Sequence, residues 1–130
     1  MEHILKSDSD SIDFHGYQEY LLTIKDRLPA HVYAFASDAK YFDLQSPTSL
    51  HDAWLETCTI KESGKGNRNE ARTLEIHLSL LGPFHDRRIH LMYGGVNSYS
   101  FNGPRDCEGC AGKNHGDLYT HEIRLSPYDG

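Results

Sequence analysis

The sequence predicts an α+β fold: an N-terminal amphipathic helix, or two, packed on an antiparallel sheet of about five strands. Three observations point to it. Leu74, Ile76, Leu78 and Leu80 alternate with Glu75, His77 and Ser79, the period of a strand with one buried face. Gly82-Pro83-Phe84-His85-Asp86 interrupts that pattern, and Ile89, Leu91 and Tyr93 resume it, as in a meander. Tyr17, Tyr20, Leu21, Ile24 and Leu28 fall instead at helical spacing, with Gln18, Glu19, Lys25 and Asp26 off the stripe.

Residues 1–13 are polar, and Ser7-Asp8-Ser9-Asp10-Ser11 reads as a flexible lead-in to a single domain over 14–130. Asp13 is placed to cap a helix that opens near Phe14. Pro29 ends that helix and suits the start of a second, in which Val32, Phe35, Ala36 and Ala39 share a stripe. The aromatic run His31 to Phe35 also suits a strand; helix is the preferred reading. Tyr41 to Leu44 reads as a short extended piece.

Strands are expected at 53–60, 73–81, 87–93, 96–101 and 118–125. Polar loops are expected at 62–70 and 102–117. A two-residue turn at Gly94-Gly95 would set Leu91 against Ser98, apolar against polar. One more residue sets Leu91 against Tyr99 and Ile89 against Phe101, so a bulged or three-residue connection, or a kinked strand, is preferred. In the last strand Tyr119, His121, Ile123 and Leu125 share a face. The Asp129-Gly130 that follows promises a returning strand. A shortened chain, an edge strand, or completion by a second copy in a homodimer would each account for its absence. The expected core is Tyr20, Leu21, Ile24, Leu28, Phe35, Trp54, Ile76, Leu78, Leu80, Ile89, Leu91, Phe101, Ile123 and Leu125.

The composition limits the partners. At 130 residues with 38% apolar and 25% charged side chains, the chain is long enough to bury a core without staples. The N-terminus lacks the apolar run of a secretory signal, and no stretch is long enough to span a bilayer, so the expected location is cytoplasmic. The net charge of −6 argues against nucleic acid, whose phosphates need Lys and Arg, and favours a basic protein partner.

Two groups of residues offer chemistry. Cys107-Glu108-Gly109-Cys110 has the spacing of a zinc knuckle, with His115 as a third ligand and Asp117, His121 or Cys58 as a fourth. Strong zinc signatures carry two such pairs; a glycine-rich loop with incidental thiols is the bland alternative. The second group is a set of His-acid neighbours: His51-Asp52, His85-Asp86, His115-Gly116-Asp117 and His121-Glu122. Such groups serve hydrolytic metal sites and general bases when they converge. Equally, His-Asp at a loop end caps backbone donors, and His121 on an apolar face suits a hydrogen-bonded core histidine. There is no GxGxxG or GxxxxGK[ST], and no GxSxG in its strand-turn-helix setting.

The strings Ser49-Leu50-His51-Asp52-Ala53-Trp54-Leu55-Glu56, Leu81 to Arg87, and His115-Gly116-Asp117-Leu118 running into His121-Glu122-Ile123 resemble a group of small bacterial domains. Some of these resemble immunity proteins of contact-dependent or polymorphic toxin systems. The resemblance spans residues 17–125, implies neutralisation of a partner by covering it, and transfers no catalytic residue. The Cys-Glu-Gly-Cys loop looks like a local insertion in it. The functional expectation is therefore a non-enzymatic protein-binding domain, immunity-like. The alternative is a metal-dependent enzyme or zinc-stabilised domain, built on Cys107, Cys110 and His115 or on His51, Asp52, His85, Asp86 and Asp117.

Overall fold

The structure is a computed structural model that describes residues 2–6, 12–68, 71–102, 116–118 and 120–127. The proposed knuckle Cys107, Cys110 and His115 lies outside these, as do residues 7–11, Tyr119 and the final Asp129-Gly130. The chain gathers into two compact units: residues 1–46 with 120–130, and residues 47–119.

In unit 1, Leu5–Lys6 (β1) pairs antiparallel with Ile12–Asp13 (β2), and two helices follow, His15–Ile24 (α1) and Ala30–Ser37 (α2). Asp13 accepts a hydrogen bond from the His15 N–H at 2.9 Å, which satisfies a donor at the start of α1. Pro29 precedes α2, and its carbonyl accepts from Val32 and Tyr33. The aromatic run 31–35 is thus helical. Tyr41 closes a 3-10 turn, Ala39–Tyr41, where an extended piece is the sequence expectation. The Asp38 carboxylate accepts from the Lys40 N–H and so favours the turn.

Tyr17, Leu21 and Ile24 bury the stripe of α1 against Ala36 of α2 and Ile4, which lies in the stretch read as a polar lead-in. Residues 2–4 are built into the unit by one side chain. The Glu122 carboxylate, 3% exposed, accepts from the N–H groups of Glu2 at 3.1 Å, His3 at 2.9 Å and Ile4 at 2.6 Å.

In unit 2, Trp54–Lys65 (β3), Ala71–Leu81 (β4) and Arg88–Tyr93 (β5) form an antiparallel sheet in the order β3-β4-β5. Leu78 of β4 faces Cys58 and Leu91, and Leu80 faces Leu55 and Ile89, so these share one side of the sheet. A bulge at Glu56 lets odd-numbered Leu55 and even-numbered Cys58 and Ile60 lie on that side. Ile76 and Leu80 of β4 are buried, as are Leu50 and Ala53 ahead of β3.

The expected sheet of five strands is a sheet of three. After Tyr93 the chain does not fold back at Gly94-Gly95. Gly95 takes φ +63°, and Val96 donates to the Leu74 carbonyl, one residue past the position that the β4–β5 register puts opposite it. The chain stays beside β4 as a kinked continuation, and 96–101 is irregular. Phe101 is accordingly exposed rather than core. The expected last strand, 118–125, is also absent among the described residues. Leu118 bonds Asp52 and Ala53, while the Ile123 N–H donates to the Tyr17 hydroxyl at 2.8 Å and the Leu125 N–H to the Tyr20 hydroxyl at 3.0 Å. The tyrosines of α1 thus take up these backbone groups in place of a neighbouring strand.

The loop expected at 62–70 shrinks to 66–70. Glu62 to Lys65 continue the ladder opposite Leu74 to Ala71, and Arg72 reaches Glu62 at 3.6 Å. Trp54, expected in the core, is 44% exposed because it sits on the polar side of the sheet, opposite Leu81.

Candidate functional site

Two regions gather candidate residues, one in each unit. In unit 2 the β4–β5 connection brings part of the predicted polar cluster together. Gly82 donates to the Arg87 carbonyl and accepts from the His85 N–H, closing a tight loop. A Cβ at Gly82 would stand 3.2 Å from the Arg87 carbonyl oxygen and 3.3 Å from that of Pro47, so a larger residue would push this backbone apart by a few tenths of an ångström. The loop holds His85 at φ +57° and sets its ring 4.3 Å from Trp54. The Trp54 indole N–H donates to the Asp117 carboxylate. Thus His85, Trp54 and Asp117 meet at one end of the sheet.

The rest of the cluster is used elsewhere. His51 Nε2 lies 3.4 Å from its neighbour Asp52, whose φ is +62°. Asp86 takes a two-pronged bond from Arg87, at 3.0 and 2.9 Å. That guanidinium holds the Asp86 carboxyl below the usual carboxylate range. Among the described residues no group of three or more His, Cys, Asp or Glu side chains is placed to hold a metal ion. The arrangement fixes an exposed aromatic side chain, Trp54, between His85 and Asp117. His85→Gly is expected to alter stability by less than about 1 kcal/mol, because relief of the left-handed backbone offsets the lost ring contact. A valine there is expected to cost about 1–2 kcal/mol, since a β-branched residue cannot relax at that φ. Thermal midpoints check both, and the emission of the single tryptophan reports the lost contact.

His121 and Glu122, read from sequence as another His-acid pair, serve the interior of unit 1. The His121 ring stacks on Phe42 at 4.4 Å and lies 5.7 Å from Phe35. Its Nε2 is buried with no hydrogen-bond partner among the described residues. Burial pushes its pKa down to about 4, so the ring is neutral at pH 7. Burial alone would raise the Glu122 carboxyl; its three backbone donors outweigh that and hold it below its ordinary value.

The second region is an open cleft of about 470 Å³ in unit 1. Phe14, Gln18, Leu21 and Leu22 of the α1 side face Tyr33, Ala36 and Ser37 of α2, and Phe42 and Asp43 close one end. Its lining is apolar apart from Gln18, Ser37, Asp43 and the tyrosine hydroxyls, the make-up of a ligand-accepting cleft. Leu22 at the rim is 67% exposed. Phe42 stands edge-on to Phe14 at 5.1 Å and to Tyr17 at 5.9 Å, which fixes that end. The sequence contains one signal for it: Leu22 and Phe14 lie beside the buried stripe of α1, which gives the helix a second apolar face.

The acidic excess belongs to the same unit. Unit 1 holds ten carboxylate side chains against five lysines and arginines; unit 2 holds nine against eight. Among the described residues no helix is long and apolar enough to cross a membrane. No protein-family model matches the chain, nor does a curated protein or a solved structure.

Proposed function

We propose that this chain is a non-enzymatic protein-binding domain that takes a basic partner on unit 1, immunity-like in that it neutralises the partner by covering it. The observation that carries this reading is the coincidence, in one unit, of an open apolar cleft and nearly the whole acidic excess. Long-range attraction by the carboxylates speeds encounter, and desolvation of Phe14, Leu22 and Phe42 supplies affinity.

The full chain, immobilised and exposed to proteins of its native host at about 50 mM salt, is expected to retain a basic protein whose association slows about tenfold or more at about 500 mM. The retained protein is expected to arrest growth when expressed alone and to lose that effect when this chain is co-expressed. Retention of nothing at low salt, or of a partner indifferent to salt, overturns the reading.

A further inference from the structure

The cleft has a length, a shape and a polarity, and together they define what fits. Along α1 its apolar lining runs from Phe14 to Leu22, eight residues apart, or roughly 12 Å at helical rise. Apolar anchors at i, i+4 and i+7 of a second helix span about 10.5 Å. The facing wall offers Ala36, Ser37 and Ala39, small side chains that let a backbone approach. The two ends differ in charge. Beside Phe42 stands Asp43, an exposed carboxylate with one oxygen bonded to the Gln45 N–H at 2.9 Å. Past the other end of the lining, the Lys25 ammonium lies 5.5 Å from the centre of the Tyr33 ring.

Resting on the protein-binding reading above, we propose that this cleft takes a short amphipathic helix of the partner, with a lysine or arginine of its first turn on Asp43. Its apolar stripe seats between α1 and α2. Its C-terminal carbonyls, the negative end of the helix dipole, lie toward Lys25. The bound helix therefore runs in the same direction as α1. Both ends of the occupant meet opposite charge, and helix polarity becomes a selectable feature of the partner.

The test uses the full chain and synthetic peptides of about 14 residues. One peptide carries leucines at i, i+4 and i+7 with a lysine in its first turn. A second moves the lysine to the last turn, and a third places proline at the centre. The first is expected to bind with saturation and a gain of helical circular dichroism. The second is expected to bind about tenfold more weakly, and the third not measurably. Asp43→Asn is expected to weaken the first peptide about fivefold and to abolish its preference over the second; Leu22→Asp is expected to weaken it about tenfold or more. Both substitutions are at exposed sites, so the variants remain folded. Equal binding of the proline peptide, indifference to the lysine's position, or binding of an alkylammonium with no binding of any helix overturns the proposal. If no peptide binds yet the captured basic partner is still weakened by Leu22→Asp, the helical occupant is wrong and the protein-binding cleft stands. If the partner also ignores Leu22→Asp, both fall.

Discussion

Replacing Glu122 with alanine is expected to destabilise unit 1 by about 3 kcal/mol or more, the largest effect of any exchange considered. The carboxylate is buried, and it accepts from three consecutive backbone N–H groups of residues 2–4. No residue near in sequence can take over, because Ile4 and Glu122 are 118 positions apart. Removal leaves the part-buried donors of His3 and Ile4 unpaired beside the buried Ile4 side chain, turns the exposed Glu2 N–H to water, and frees the N-terminal stretch that β1 extends. Glutamine restores the shape, keeps one acceptor oxygen and turns an amide N–H₂ toward another donor, so it is expected to recover less than half of the loss. Urea midpoints, with amide exchange at residues 3 and 4, measure this. A loss below about 1 kcal/mol would show that water satisfies these donors equally well.

Acidification is expected to weaken the protein through His121 before its carboxylates titrate. The folded imidazole has a pKa of about 4 against 6.5 for the free group. Between these values the unfolded chain binds the extra proton, so stability is complete above pH 6.5 and declines as pH falls toward 4. The full contribution is about 3 kcal/mol, of which about 2 is gone by pH 5. His121→Phe keeps the stack on Phe42 and removes both the titration and the unpartnered Nε2. It is expected to match the native protein at pH 7 and to exceed it by about 2 kcal/mol at pH 5. The chain has eight other histidines, so the comparison of the two proteins isolates this one. Parallel pH profiles would exclude His121 as the source.

For the binding reading, His121 and Tyr17 matter because they hold the cleft. His121 stacks on Phe42, which forms one end of it, and Tyr17 is both in the lining and bonded to Ile123 through its hydroxyl at 2.8 Å. Exchanges at His121 or Tyr17 therefore report on folding as well as on binding. Leu22 and Asp43 separate the two, because both stand at the exposed rim.

The cleft illustrates how far a sequence reading reaches. The stripe Tyr17, Leu21 and Ile24 was visible from spacing, and it is buried. That Phe14 and Leu22 join Phe42 and Ala36 in one concavity was not visible, since it depends on how α1 meets residues of α2 and the turn that follows. The polar cluster was legible only in part. His85 and Asp117 do approach each other's neighbourhood, but through Trp54, a residue expected in the core. Asp86 was spent locally on Arg87, which no spacing rule foretells.

The sequence by itself determined α1, the helix after Pro29 and the three strands that pair, because hydrophobic period and proline act over a few neighbouring residues. The tertiary structure alone decided the fates of 96–101 and 118–125. Alternation says that one face of a segment will be buried, and it is silent on what satisfies the backbone. For 123 and 125 that partner is a tyrosine hydroxyl more than a hundred residues away in the chain, at Tyr17 and Tyr20. It likewise decided that Glu122 is a clasp, since three amide donors converge on a carboxylate only when both ends of unit 1 meet.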